Sequence, residues 1–313
     1  MTPPRAGLAG VVLAAGAGTR LRPLTDLRPK ALCPVGGLPL LERALRAAEA
    51  FAGHGPEHVA VNAHHHADAV IRFCRGRATV SRELPRALGT AGALGALRPW
   101  IGGRDVLVVN ADVYLPEGPE GLTDGWDGER SRLLCAPATG RVDFRHPVAG
   151  PVRYVGVCLL PWDAVRQLAP VPSGLYEVLW RAQHAEGALD LHLLPEGRTV
   201  LDCGTPSDYL RANLHASGGT SVVGEDAQVL GDLERCVVWE GAWVGPEEHL
   251  VECVRAGDRA TPITVPAPLT DSTSPSRAKH TSPSPAERTS PDPERAAAAE
   301  STGPQGLRAV RAR

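Results

Sequence analysis

From Val11 to Asn110, short apolar runs alternate with segments of helical spacing, and this alternation constrains the fold more than any other feature. Val11 to Ala15 is an apolar run that ends in glycines and reads as a fully buried strand. Leu38 to Phe51 follows with apolar positions at Leu41, Leu45 and Ala48, the spacing of a helix face. The pattern repeats as strand His58 to Asn62, helix His66 to Phe73, strand Thr79 to Glu83, a helix around Ala91 to Leu97, and strand Asp105 to Asn110. Parallel strands need such crossovers and are covered by them on both faces. The expectation is therefore an α/β fold, a mostly parallel sheet with helices on both faces.

Beyond Trp126 the pattern is less regular. Strands are expected at Leu133 to Ala136 and Arg153 to Leu160, helices at Trp162 to Leu168 and Leu175 to Glu186, and a strand pair at Leu189 to Leu194 and Thr199 to Leu201. A helix from Pro206 to Ala216 then meets a boundary at Gly218-Gly219. In Ser221 to Val254, valine-rich steps punctuated by glycine suggest a few coils of a β-solenoid; one extra hairpin is the plainer alternative. From about Pro266 onward Ser, Thr, Pro, Arg and Ala dominate, too little apolar surface to offset the entropy of ordering. The expected division is a domain over 1–216, a solenoid segment over 217–262 and a disordered tail over 263–313.

At 313 residues the chain can bury a sizeable core. Its net charge of −2 offers no basic surplus for a nucleic-acid backbone, whereas small anionic substrates need only a local pocket. Seven scattered cysteines with no C-x-x-C pair favour reduced thiols in the cytoplasm over a disulfide framework or zinc site. Arg5, Leu8 to Ala15 and Ala15-Gly16-Ala17 imitate a signal peptide, but cleavage there would destroy the glycine-rich loop described next. No apolar run approaches the roughly 18 residues of a membrane span, so no membrane is expected as a partner.

The sharpest local feature is Leu13-Ala-Ala-Gly-Ala-Gly-Thr-Arg-Leu-Arg-Pro-Leu-Thr25, followed by Arg28-Pro-Lys30 and Pro34-Val-Gly-Gly. A glycine-rich turn directly after a buried strand lets backbone N–H groups close on a phosphate, with Arg20, Arg22 and Lys30 adding charge. Gly16-Ala-Gly-Thr-Arg-Leu21 lacks the third glycine of a dinucleotide fingerprint, and no G-x-x-x-x-G-K-[ST] is present. Lys30 stands out because the chain has two lysines beside thirty-one arginines, and the other, Lys279, falls in the expected tail. A lysine supplies a compact point charge where a planar guanidinium would need bidentate space. Asp112, in Asn110-Ala-Asp112 after an apolar strand, is where a metal-binding carboxylate would lie over the end of a parallel sheet. His64-His65-His66 lack the i, i+4 spacing of a helix-borne metal pair and read as a loop-to-helix junction.

L-A-A-G-x-G-T-R-L-x-P-L-T, then P-K and P-V-x-G-x-P-L, resembles the opening of the sugar-1-phosphate nucleotidyltransferases, which include the mannose-1-phosphate guanylyltransferases. The resemblance covers roughly residues 8 to 216, with a looser match of Ser221 to Val254 to the left-handed β-helix of several members. It implies a Rossmann-like nucleotide-diphospho-sugar transferase fold. It also implies transfer of a nucleoside monophosphate from an NTP to a sugar 1-phosphate, with GTP and mannose 1-phosphate or another hexose 1-phosphate as the first choice. Arg20 and Lys30 would be catalytic. Leu13, Ala14, Ala15, Gly16, Gly18 and Thr19 would hold the nucleotide. Glu83, Gly89, Thr90 and Ala91, in the S-x-E and L-G-T-A-G elements, would hold its base.

Asp202, in the D-x-G-T-P element, would join Asp112 on one Mg2+, and Asn110, Gly156 and Glu177 would face the sugar. The family's glutamate-lysine-proline element, whose lysine contacts the sugar phosphate, has no counterpart in Ala136 to Pro151, so either Arg145 or Arg153 supplies that charge or the sugar is held differently. Two other readings keep the same loop: a nucleotide-sugar-binding regulatory protein without turnover, and a cytidylyltransferase acting on a phospho-alcohol. An exposed solenoid face would also allow a homo-oligomer.

Overall fold

The computed structural model describes residues 7–269, all within one compact unit. Arg5, Lys279 and the stretch 270–313 read as tail lie outside the described residues.

The main sheet is built from β1 (Ala9–Leu13), β2 (Val59–Ala63), β3 (Thr79–Arg82), β4 (Val106–Asn110), β5 (Ser131–Pro137), β6 (Gly150–Leu160) and β7 (Leu189–Leu193). Their spatial order is β7-β5-β6-β4-β1-β2-β3, and the short strand Phe144–His146 adds to β6. All pairings along that order are parallel except those of β6, which runs antiparallel to both β4 and β5. Successive side chains of a strand point to opposite faces, so strands buried on both faces must be apolar throughout. Val12, Val61, Leu107 and Val109 therefore pack on one face with Leu41, Leu45 and Ala48 of helix α1 (Leu40–Ala52) and Val70 of α2 (Ala67–Cys74). Val11, Ala60, Val106 and Val108 pack on the other with Leu94, Leu97 and Ile101 of α3 (Gly89–Ile101). The expected architecture is the observed one. Among the described residues no helix is long and apolar enough to cross a membrane.

Three expectations change. Leu189 to Leu194 and Thr199 to Leu201 do not pair with each other: β7 lies parallel to β5, while Leu201–Asp202 runs antiparallel to Val113–Tyr114. That exchange joins the two segments that carry Asp112 and Asp202. The helix expected over Leu175 to Glu186 begins with a π turn, Tyr176–Trp180, before the α turn Arg181–Ala185. The ordered chain also continues past 262. Ile263–Pro266 forms a strand antiparallel to Cys253–Ala256, and Val265 and Ala267 are buried. Three apolar residues, Ile263, Val265 and Ala267, at alternate positions suffice for this strand, although composition averaged over the segment hid them.

The segment after helix α4 (Pro206–Ala216) is a coil of short parallel strands. Val222–Val223 pairs with Val237–Val238, which pairs with Cys253–Ala256; Gln228–Val229 pairs with Trp243–Val244, and Asp232–Glu234 with His249–Val251. These strands form a β-helix-like segment rather than a hairpin. It shares an apolar cluster with the main domain, in which Val237, Trp239 and Val254 meet Leu21, Leu24, Cys33, Val35, Tyr114, Cys203 and Tyr209.

Candidate active site

The carboxyl ends of three adjacent parallel strands meet in one row, because Leu13 registers with Asn62 on one side and Asn110 on the other. Chain emerging from such a row opens a crevice above the sheet. The Ala14 N–H donates to Asn62 Oδ1 at 2.7 Å and the Ala111 N–H to Leu13 O at 2.9 Å, which ties the start of the glycine loop to both neighbours. The loop then turns at Gly18 with φ of 61°, and a Cβ there would lie 2.8 Å from Thr25 Cγ2 and 3.0 Å from Lys30 Cβ. Glycine is needed at this position both for its backbone angle and for the close passage of Lys30.

Lys30 lies on the single turn Lys30–Leu32 and is 7% exposed. Its ammonium donates to Asp112 Oδ2 at 2.8 Å and sits 3.7 Å from Asp202 Oδ1. Asp202 reaches this point because it registers with Val113 and because the Cys203 N–H donates to Asp112 O at 3.0 Å. Both carboxylates face the cleft, with side chains 44% and 56% exposed. Partial burial among protein atoms and the nearby Asp112 push the Asp202 pKa above the ordinary carboxylate range, while Lys30 and Arg20 pull it down. Arg20 joins from the far side of the loop: a Cβ at Gly204 would lie 2.6 Å from Arg20 Nη2. The glycine of Asp202-Cys-Gly204 thus makes room for the arginine of the glycine-rich loop.

Two hollows meet over these groups. The first, about 210 Å³, is lined by Leu13, Ala14, Ala15, Gly16, Lys30, Asn62, Ala87, Gly89, Thr90, Asn110 and Asp112. The second, about 290 Å³, shares Leu13, Thr90, Asn110 and Asp112 and adds Arg141, Asp143, Arg153, Tyr154, Gly156, Tyr176, Glu177, Trp180 and Asp202. The two hollows adjoin at Asp112, with Lys30 in the wall of the first and Asp202 in the wall of the second.

Several sequence-predicted residues sit away from the lining. Gly18, Thr19 and Arg20 are absent from the lining of both hollows, and Thr19 and Arg20 are exposed. Glu83 is only 2% exposed; its oxygens accept from Asn62 Nδ2 at 2.8 Å and the Leu88 N–H at 2.7 Å, so the carboxylate is held inside the protein rather than offered to a base. Ala91 is fully buried and its N–H donates to Ser173 O. The small residues of this helix serve packing: a Cβ at Gly92 or Gly95 would lie 2.2 Å from Val171 O or 2.4 Å from Ala169 O. Gly156 has φ of 85° at a register shift in β6, and a Cβ there would strike Val113. Arg145 is absent from the lining and Arg153 is in it.

His64 and His65 bond Glu83 O and Thr25 O, and His66 precedes α2 in the left-handed region, as a loop-to-helix junction requires. Sequence reading missed Asn62, which links the loop to Glu83; its signal was a polar residue closing an apolar strand.

A buried lysine between two carboxylates, at the carboxyl edge of a parallel sheet beside a glycine loop, is an arrangement suited to phosphate groups. The chain matches the MobA-like NTP transferase domain family over residues 10–188, more than half its length, and belongs to that family of nucleotidyltransferases. It is 31% identical over 220 residues to an N-acetylmuramate α-1-phosphate uridylyltransferase of Caulobacter vibrioides, covering 60% of this chain and 88% of the relative. A low-salt glycan biosynthesis nucleotidyltransferase of Haloferax volcanii is 27% identical over 261 residues, 72% of each chain. Among solved structures, one described as mannose-1-phosphate geranyltransferase from Thermus thermophilus superposes with a TM-score of 0.61 at 20% identity, over 84% of this chain and 96% of that one. This last likeness establishes the fold. The relatives accord with the sugar-1-phosphate nucleotidyltransferase resemblance of the motifs.

Proposed function

We propose that this protein transfers a nucleoside monophosphate from a nucleoside triphosphate to a sugar 1-phosphate. The observation that carries the reading is Lys30, buried and held between Asp112 and Asp202 where the two hollows join. The triphosphate occupies the first hollow, with the backbone around Gly16 against its phosphates; a Cβ on Gly16 would meet open space, which leaves room for such a group. The sugar 1-phosphate occupies the second. One of its phosphate oxygens attacks the α-phosphorus in line, the α–β P–O bond breaks, and pyrophosphate leaves without a covalent enzyme intermediate. The protein positions the reactants and stabilises charge. Lys30 exchanges Asp112 for phosphate oxygens, and Arg20 adds positive charge at the loop.

Two cleft-facing carboxylates fit Mg2+, which typically takes one or two carboxylates and completes its shell with water and substrate phosphates. Asp112 and Asp202 would hold it, and the pKa of Asp202, raised first by burial and then by the neighbouring Asp112, is what a bound cation would bring down. When bound it supplies charge neutralisation at the phosphates. A nucleotide-consuming reaction and seven buried free thiols fit a cytoplasmic setting.

The choice of base moves away from guanine. Guanine presents N–H donors that Glu83 was expected to meet, and Glu83 is occupied; the first hollow has no other acidic side chain apart from Asp112. UTP becomes the first choice, in line with the uridylyltransferase named for the Caulobacter relative. Pyrophosphate release from ATP, GTP, CTP, UTP and dTTP against several hexose 1-phosphates tests this, with UTP expected to react fastest. Reaction only with CTP and a phospho-alcohol, or binding of nucleotide-sugar without turnover, would overturn it.

In the acceptor hollow the charge expected of a lysine falls to Arg153, which donates to Val200 O at 3.2 Å beside the Asp202 strand, whereas Arg141 is spent on Asp143 at the rim. Arg153→Gln should raise the KM for sugar 1-phosphate about tenfold, the loss of one charge-assisted hydrogen bond, with the triphosphate KM unchanged. An unaltered acceptor KM would remove Arg153 from the site.

A further inference from the structure

The Lys30 ammonium is held by Asp112, but its backbone belongs to a single turn within a loop, and the chemistry requires a fixed ammonium. The segment that carries it, residues 28–39, is held upstream by the β-helix-like segment and downstream by helix α4. Upstream, the Arg28 guanidinium lies 4.1 Å from the centre of the Trp239 ring, and its Nη2 pairs with Glu240 Oε1 at 2.6 Å. Trp239 is itself fixed: it is 2% exposed and its Nε1 donates to Tyr209 Oη at 3.1 Å. Downstream, Tyr209 Oη donates to Pro34 O, and the Gly36 N–H donates to Asn213 Oδ1 at 3.0 Å. Between these anchors a hollow of about 550 Å³ separates Leu32 and Pro34 from Val222, Val237 and Val238. Beside this hollow Cys33 and Val35 of the loop pack in the apolar cluster that includes Val237, Trp239 and Val254, so the contacts of Arg28 add a directional hold to a loop already seated on the core.

We infer that the β-helix-like segment is a brace for the reaction, with Arg28, held by Trp239 and Glu240, acting as the positioning residue for Lys30. The inference rests on the transferase reading of the site. It makes the appended coil part of the catalytic apparatus: misplacing a charged group by an ångström is enough to lose much of its effect on a transition state. Arg28 touches neither hollow of the cleft and acts only through the loop.

The test is kinetic. Arg28→Ala should lower kcat about tenfold, the size of a modest misplacement, while leaving both KM values near wild type. Glu240→Gln should give a smaller loss, and Arg28→Lys, which keeps charge over the ring, should recover most of the rate. In a Lys30→Ala background, Arg28→Ala should have no further effect, because nothing remains for it to position. A merely structural Arg28 would lower the melting temperature, leave kcat unchanged and add its effect in that background; that result overturns the inference. Hydrogen exchange of the backbone amides at 30–33 and 35–36 gives a readout independent of turnover. Faster exchange in Arg28→Ala and Glu240→Gln supports the brace, and unchanged exchange refutes it. Wild-type protein that releases no pyrophosphate from any pair of substrates would sink the transferase reading instead, and the exchange result would still decide the brace.

Discussion

Lys30→Ala should abolish nearly all pyrophosphate release while the protein stays folded. Removing one preorganised charged donor from a transition state costs about 2.7–4 kcal/mol, a factor of roughly 10² to 10³ in kcat. The fold should tolerate the change, because the two carboxylates left behind face the cleft and remain solvated. Their mutual repulsion, now uncompensated, is expected to lower stability by only about 1 kcal/mol at the surface dielectric of a cleft. Lys30→Arg should not restore the rate. The side chain is 9% exposed and its Cβ passes close to Gly18, so a planar guanidinium has no room to turn toward a single phosphate oxygen. Single-turnover rates beside a thermal melt check this; near-wild-type turnover by either variant would remove Lys30 from the chemistry.

Asp112→Asn and Asp202→Asn should each reduce kcat on the order of 10²-fold and raise the magnesium concentration needed for half-maximal rate. Groups that act as a unit are not additive, so the double variant should lose little more than the worse single one. The two singles should differ in one respect. Asp112 is the direct partner of the Lys30 ammonium at 2.8 Å, and its amide leaves a buried cation with only the longer 3.7 Å contact to Asp202. Breaking a buried pair on one side is costly, so Asp112→Asn should also lower the melting temperature, whereas Asp202→Asn should not. Magnesium titrations that coincide for wild type and both variants would exclude these carboxylates as the metal site.

Much of this was readable in the chain. The βα alternation from Val11 to Asn110 specifies a parallel sheet, because strands that are apolar at every position must be buried on both faces, and helices of matching length are there to cover them. The glycine loop and Asp112 stood out for a related reason, since each follows closely on a strand whose end is marked, whereas Lys30 stood out because the chain has two lysines beside thirty-one arginines. Asp202 was legible only through its motif, since nothing local says that Leu201–Asp202 will pair with Val113–Tyr114. Glu83 was misjudged because a strand-end carboxylate looks alike whether it faces ligand or protein. Its direction depends on Asn62 and Leu88, contacts made only when the strands are aligned.

By itself, then, the sequence determined the α/β class, the loop and the identity of the charged groups, all consequences of local periodicity and residue type. Only the tertiary structure decided which charges converge: Lys30 between Asp112 and Asp202, Arg153 rather than Arg145 in the lining of the second hollow, and Arg28 against Trp239 and Glu240. The reason is that charge–charge energies and hydrogen bonds depend on distances between segments far apart in the chain, and those distances are set by packing.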